Sequence, residues 1–455
     1  MTDFQVYTLV VLGGYFLLML GIAWYAGSKE DHAGFVLGNR NVGYLPTLGS
    51  LAASLRDGSG IVFWVGFGLT AGYGGLWLFI GVCFAFLFYV LCGPKVRALA
   101  AKENYVTIGE LVRQQLGGVT EKVSSVIVLV VALMWIAAQL FVSGNLMAQI
   151  LSAPEWVGVA SVATVVALYL VTGGYGTVVK TDAIQFILIV SLVGVAFLFP
   201  PAQADLVNFS SLIEFDTRMS VAFFLFGFIF VLASPDMWQR VFSARDDRVI
   251  RTSFPLAGFF LILMTCSLLW LGMSAREYLS VDLAAGEVFF AIFEQQVFPA
   301  PILAFIALVT MAITMSTLDT FCYVFSSSLA KNILPKDISE TRDKYVSFSR
   351  GVFVIVLAMM SILALAISDI IMFLFDAASL MTILAPVYVL AVLGVFKCSK
   401  RLDMLIALCV LSAACVYIFM FTQGYFEDFL MMLVPVALST FLCVASLLVF
   451  RLGER

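Results

Sequence analysis

Histidine is almost missing from this chain of 455 residues: His32 is the only one. It falls in a polar loop, where a solvated side chain explains it. Without imidazole ligands, zinc or haem chemistry is not expected. The eight cysteines form no Cys-x-x-Cys pair, and most lie in apolar runs. They read as small buried hydrophobes rather than disulfides or metal ligands. Charge is scarce as well. Lys, Arg, Asp and Glu make up 12% of the residues, about half the share of a soluble domain. No Ser/His/Asp or metal-hydrolase arrangement can be assembled, so an enzyme is not expected. The net charge of −4 says little about partners, because in so apolar a chain the distribution matters more than the sum. No nucleic-acid partner is expected.

What the chain does have is apolar length. At 62% hydrophobic, it reads as an all-α polytopic membrane protein whose core is built by laying spans together in a lipid bilayer. Windows of about 19 residues predict thirteen spans: 5–27, 43–68, 74–94, 121–150, 155–173, 180–200, 219–240, 253–274, 299–332, 346–367, 369–396, 402–422 and 429–450. The first run is too long for a signal peptide and lacks a small-residue cleavage site, so it is expected to be retained. No soluble domain is expected at either end. With the N-terminus outside, nearly every Lys and Arg falls on an inner loop, Lys29, Arg40, Lys95, Arg113, Arg240, Arg245, Lys331 and Lys397 among them. The outer side keeps Arg218 and Arg276 beside acids such as Glu214, Asp282 and Glu427. This asymmetry predicts an outer N-terminus and a cytoplasmic C-terminus in the plasma membrane, or in the inner membrane of a bacterium.

The second span carries an interruption, Leu51-Ala-Ala-Ser-Leu-Arg-Asp-Gly-Ser-Gly60. Arg56 and Asp57 sit where each charge costs several kcal/mol unless matched. Gly58 and Gly60 flank Ser59, and glycine leaves helical angles cheaply. One reading is a kink with an internal salt bridge. The other is a helix unwound at mid-membrane, which is tolerated only where it lines a cavity and marks the binding sites of carriers. A second interruption, Phe226-Gly227 followed by Ala233-Ser-Pro-Asp236, falls in the seventh span. Breaks five spans apart are expected if two five-span units of opposite topology form the core.

Span nine adds Ser316, Asp319 and Thr320 at i, i+3 and i+4, on one helix face, with Thr317 beside them. Isolated hydroxyls would bond their own helix, but a carboxylate among them suits a hard cation taking oxygen ligands. Asp182, near the inner end of span six, is read either as part of such a site or as an interfacial salt-bridge partner of Lys180 or a loop arginine. Two non-spanning helices are expected near 104–116, with a capping box at Thr107 and Glu110, and near 284–297.

Several stretches taken together resemble the sodium:solute symporter family. They are Phe35 to Gly43, Thr107-Ile-Gly-Glu-Leu111, Gly173 through Asp182 and Gln185, Ser234-Pro-Asp236 with Gln239-Arg240, and Ser316-Thr-Leu-Asp-Thr320 with Ser326-Ser-Ser328. The resemblance implies a LeuT-type core of five plus five inverted spans with extra flanking helices, and one transmembrane domain over 1–455. Its parts would be 1–42 (first span and inner loop), 43–200 (repeat one), 201–397 (repeat two) and 398–455 (two C-terminal spans). It implies Na⁺ as coupling ion, held by the carbonyls of Leu55, Gly58 and Ile313 and the hydroxyls of Ser316 and Thr317, with Asp57 supporting through its field. A second Na⁺ would use Asp182, Ser316, Asp319 and Thr320. Asp319 departs from the family in bringing a carboxylate where a hydroxyl is usual. Arg56 departs too, where relatives carry something small; it is expected to bind the carboxylate of an anion or amino acid, or else to pair with Asp57, Asp236 or another acid. Further cavity candidates are Ser59, Phe63, Trp64, Gln139, Ser143, Phe226, Asp236 and Trp238. The expected function is Na⁺-coupled symport of a small organic solute by alternating access, by a monomer. A solute-sensing membrane module of the same family and a proton-coupled carrier are the alternatives.

Overall fold

A computed structural model describes residues 2–27, 32–200, 210–279, 282–335, 338, 341–394 and 398–453. Lys29 and Lys397 of the charge asymmetry, and the expected repeat boundaries at 201 and 397, lie outside these. The described residues contain no β-strand; one isolated bridge joins Val42 to Ala244. The main helices are α1 (Asp3–Gly27), α2 (Tyr44–Ser54), α3 (Gly58–Ala71), α4 (Leu76–Glu103), α5 (Ile108–Gln115) and α6 (Gly118–Leu151). They continue as α7 (Glu155–Thr172), α8 (Tyr175–Ala196), α9 (Thr217–Ala233), α10 (Pro235–Ser243), α11 (Asp247–Ala275) and α12 (Ala285–Glu294). The last are α13 (Ala300–Ser328), α14 (Arg342–Ala364), α15 (Ile370–Thr382), α16 (Ala385–Leu393), α17 (Lys400–Thr422) and α18 (Val434–Gly453).

Eleven helices among the described residues are long and apolar enough to cross a membrane, or twelve if the bent pair α9–α10 is one span. Thirteen were expected. The difference lies at Gly72–Gly75, which forms a 3₁₀ turn, so that Gly58–Glu103 runs on as a 46-residue helical stretch. The first expected interruption is present, with α2 and α3 separated at 55–57; of the second, α9 runs unbroken through Phe226-Gly227 and the break falls at Ser234, where α9 meets α10 at 53°. Proline suits the first turn of α10, where its missing N–H would be unpaired anyway. The short helices also form. The Glu110 carboxylate accepts from the Val106 and Thr107 amides at 2.6 and 3.0 Å, anchoring α5 as a capping-box residue does.

The bundle is built around α13, 83% of whose most apolar window is buried, against 28% for α1 and for α14. It packs against α6, α1 and α8. Small residues let other pairs approach closely, as lipid-embedded helices require. A Cβ on Gly81 of α4 would lie 2.1 Å from the Phe224 carbonyl oxygen, and one on Gly227 of α9 2.1 Å from that of Leu78. Gly81→Ala should therefore lower the thermal unfolding temperature in detergent by several degrees. Gly14→Ala on α1, where an added Cβ meets nothing within 4 Å, should leave it within about a degree. Equal values for the two would show that α4 and α9 are not held at this distance.

Candidate functional site

Asp57 closes the break between α2 and α3. Its backbone is extended (φ −80°, ψ 162°), and its Oδ1 accepts from the Gly60 amide at 2.7 Å and the Ser59 hydroxyl at 2.6 Å. It is thus the N-cap of a half-helix inside the bundle. The Gly58 amide donates to Gln139 Oε1 of α6 at 2.7 Å, and Gln139 Nε2 donates to Ser59 Oγ at 3.2 Å. Side chains thereby satisfy orphan helix-end donors where lipid could not. No backbone amide of a described residue donates to the Leu55 carbonyl. Across from it stands α13: a Cβ on Gly58 would lie 2.2 Å from Thr314 Cγ2, and Ser54 Oγ is 3.2 Å from Thr320 Oγ1. Residues 54–58 therefore face 314–320.

A polar network runs from this contact into α8 and α10. Ser50 of α2 and Ser316 of α13 each donate to one oxygen of Asp182, both at 2.6 Å. α8 starts at Tyr175 rather than 180, which places Asp182 about two turns inside the helix. It is fully buried while Lys180 is exposed, so the interfacial salt-bridge reading of Asp182 is set aside. Asp319 Oδ2 accepts from the Tyr169 hydroxyl at 3.1 Å, and its Oδ1 is buried without a hydrogen-bond partner among the described residues. The Thr317 hydroxyl donates to the Ile313 carbonyl at 3.2 Å, the self-bonding common for membrane hydroxyls. Arg240, placed on an inner loop by hydropathy, is instead 3% exposed. Its Nη1 donates to Asp236 Oδ2 and to the Asp236 carbonyl, both at 2.9 Å, and its Nε to Ser50 Oγ at 3.0 Å. Its Nη2 donates to the Ser54 hydroxyl and, at 3.4 Å, to that of Thr320.

Beside the break lies a cavity lined by Leu55, Asp57, Gly60, Phe63, Trp64, Leu78, Phe79, Val82, Trp135, Phe226, Phe230, Leu374, Phe375 and Ala378. Of the expected solute-site residues, Phe63, Trp64 and Phe226 line it. The others point elsewhere. Ser59 and Gln139 brace the break as described, Ser143 donates to the Gln139 carbonyl at 2.6 Å, and Asp236 is held by Arg240. Trp238 donates to the Leu232 carbonyl at 3.2 Å and lies against Tyr89, ring centroids 4.5 Å apart. Arg56 turns to α11, where Nη2 donates to the Leu261 carbonyl at 3.0 Å and to the Thr265 hydroxyl. Its guanidinium lies 4.3 Å over the Phe79 ring, and neither Asp57 nor Asp236 forms an ion pair with it among the described residues. The lining residues from α4, α6 and α15 carried no sequence signal, since Phe and Leu fill every span.

Sequence and fold comparisons bear on the family and the fold. The chain matches the sodium:solute symporter family over residues 35–404. It is 24% identical over 351 residues to the osmoregulated proline transporter OpuE of Bacillus subtilis, covering 71% of this chain and 70% of that protein. To the sodium/proline symporter 2 of Staphylococcus saprophyticus it is 23% identical, covering 72% and 68%. Its fold is that of a Na⁺-coupled sialic acid symporter solved in a substrate-bound outward-open state, at a TM-score of 0.77 and 14% identity over 97% of this chain and 98% of that one. The inward-facing conformation of Mhp1 also aligns, at a TM-score of 0.55 and 12% identity over 89% of this chain and 90% of that one. With its two interrupted spans, its oxygen-lined contact between the break and α13, and a family match over most of its length, the chain belongs to the sodium:solute symporter family.

Proposed function

We propose that this symporter imports a small organic solute, of the amino-acid class that the proline-carrying relatives suggest, by alternating access driven by Na⁺. The observation that carries the reading is the unwound segment 55–57 facing α13. The Leu55 carbonyl, which has no backbone donor among the described residues, would join those of Gly58 and Ile313 and the hydroxyls of Ser316 and Thr317 around one Na⁺. A hard monovalent cation needs only such neutral oxygens, and Asp57 supplies a nearby negative field. Asp182, Asp319 and Thr320 form the candidate second site; the unmatched Oδ1 of Asp319 is an oxygen that a cation would satisfy. The basic loops would face the cytoplasm, with 43–200 and 201–397 as the inverted repeats of a monomer. Na⁺ then enters from outside, bridges the break to α13 and stabilises the solute-binding state. One charge moved through 100 mV supplies about 2.3 kcal/mol, nearly fiftyfold in concentration per Na⁺.

Uptake into proteoliposomes should vanish when K⁺ replaces Na⁺ at fixed pH; undiminished uptake would favour proton coupling. Ser316→Ala should raise the Na⁺ concentration for half-maximal uptake about tenfold, while the rate at saturating Na⁺ changes by less than a factor of three. An unaltered Na⁺ dependence would remove Ser316 from the site.

A further inference from the structure

The cavity lining, granted the symport reading, bears on the chemistry of the solute. Trp64, Phe79, Trp135, Phe226, Phe230 and Phe375 enclose it from five different helices. Phe63 joins their rings into a continuous wall, with centroids 5.2 Å apart for Phe79 and Trp64, 4.6 Å for Trp64 and Phe63, 5.0 Å for Phe63 and Phe375, 6.0 Å for Phe375 and Phe226, 6.3 Å for Phe226 and Phe230, and 6.1 Å for Phe230 and Trp135. Asp57 is the one charged residue among those lining it. Oδ1 is committed to the cap, whereas Oδ2 accepts no hydrogen bond from a described residue. Arg56 is not among the lining residues: its Nη2 is bound to α11 and its guanidinium lies over Phe79, with Nε and Nη1 buried and without a hydrogen-bond partner among the described residues.

Each class of solute meets this lining differently. An anion would find a carboxylate and no cation. A polyol would find few hydrogen-bond partners for its hydroxyls, which are costly to bury unpaired. A neutral apolar molecule would fit the walls but leave Asp57 unanswered. A cationic nitrogen wrapped in alkyl groups answers both features, since aromatic faces attract cations, quaternary ammonium most characteristically, and the carboxylate supplies the opposite charge. The geometry points to a small N-alkylated ammonium compound, cyclic or quaternary, as the solute, held by its nitrogen between Asp57 and the aromatic wall. A carboxylate elsewhere on the solute is compatible with this but is not what the cavity reads.

The test uses the full chain in detergent, with ligand-induced thermal shift and tryptophan quenching as readouts. Choline, glycine betaine and proline are compared in Na⁺ with 3,3-dimethylbutan-1-ol, which replaces the nitrogen of choline by carbon, and with pivalate, an anion of similar shape. At least one ammonium compound should bind ten times or more tightly than either control. Trp135→Leu should weaken that binding tenfold or more, and Trp135→Phe, which keeps a ring, by clearly less. The inference is overturned if the carbon isostere binds as tightly as the best ammonium compound, if pivalate binds best, or if no ammonium compound binds. The thermal shift given by Na⁺ over K⁺ is read in parallel without solute. A chain that answers Na⁺ but no ammonium compound refutes this inference alone, and one that does not answer Na⁺ refutes the symport reading.

Discussion

Gly58→Ala is expected to cut Na⁺-driven uptake by between about tenfold and a hundredfold, and Thr314→Ser in the same chain to restore much of it. The argument is steric. The new methyl would sit 2.2 Å from Thr314 Cγ2 and 2.9 Å from Gln139 Oε1, in a region where every neighbour is buried. Overfilling a well-packed interior costs about 1–3 kcal/mol, and each 1.4 kcal/mol is a factor of ten. Relief can come from only two movements. α13 can withdraw from α3, which opens the oxygen cluster between them, or α6 can withdraw, which breaks the Gln139 contact that ties down the Gly58 amide. Either one disturbs the oxygens assigned to Na⁺. Serine at 314 deletes the offending methyl but keeps the hydroxyl that donates to the Met311 carbonyl. Uptake in proteoliposomes at several Na⁺ concentrations checks this. Full activity of Gly58→Ala, or no recovery in the double variant, would mean that the contact between the break and α13 does not govern coupling.

The break was legible in the sequence because it violates what surrounds it: two charges and two glycines in an apolar run leave few structural options. The same holds for Ser234-Pro235, where proline cannot continue α9. Asp182, Ser316 and Thr320 were legible as polar residues on apolar helices, although which oxygen meets which was not. That information is long-range: Ser50 and Ser316 reach Asp182 from 132 and 134 residues away. Arg56 shows the limit most clearly. Its placement in the membrane was evident, but its direction was not, because a long flexible side chain can aim at α6, α11 or the cavity from one backbone position. Arg240 was misread for a related reason. Charge near the end of an apolar run is counted as loop, and only the bend at α10 carries it back inside.

Arg240 supports the other large effect. Asp236→Asn should destabilise the protein by about 3–5 kcal/mol, the usual cost of removing one partner from a buried ion pair. Both side chains are 3% exposed and 2.9 Å apart. The amide keeps some capacity to accept from Arg240 and the Ser234 hydroxyl, but it leaves the guanidinium charge without its closest counter-charge. Ser50, Ser54 and Thr320 offer dipoles only, and Asp182 stands one hydroxyl further away, behind Ser50. Removing both charges, as in Asp236→Asn with Arg240→Met, should therefore recover at least half of the lost stability, since a pair replaced by neutral side chains of similar volume is often tolerated. Transport should not recover with it, because Ser50, Ser54 and Thr320 lose the donor that links α10 to α2 and α13. Thermal unfolding in detergent measures the first quantity and proteoliposome uptake the second. If the double variant unfolds as early as the single one, Arg240 holds the helices together by its shape and hydrogen bonds. If both properties recover together, the buried pair serves stability and has no part in coupling the two interrupted spans.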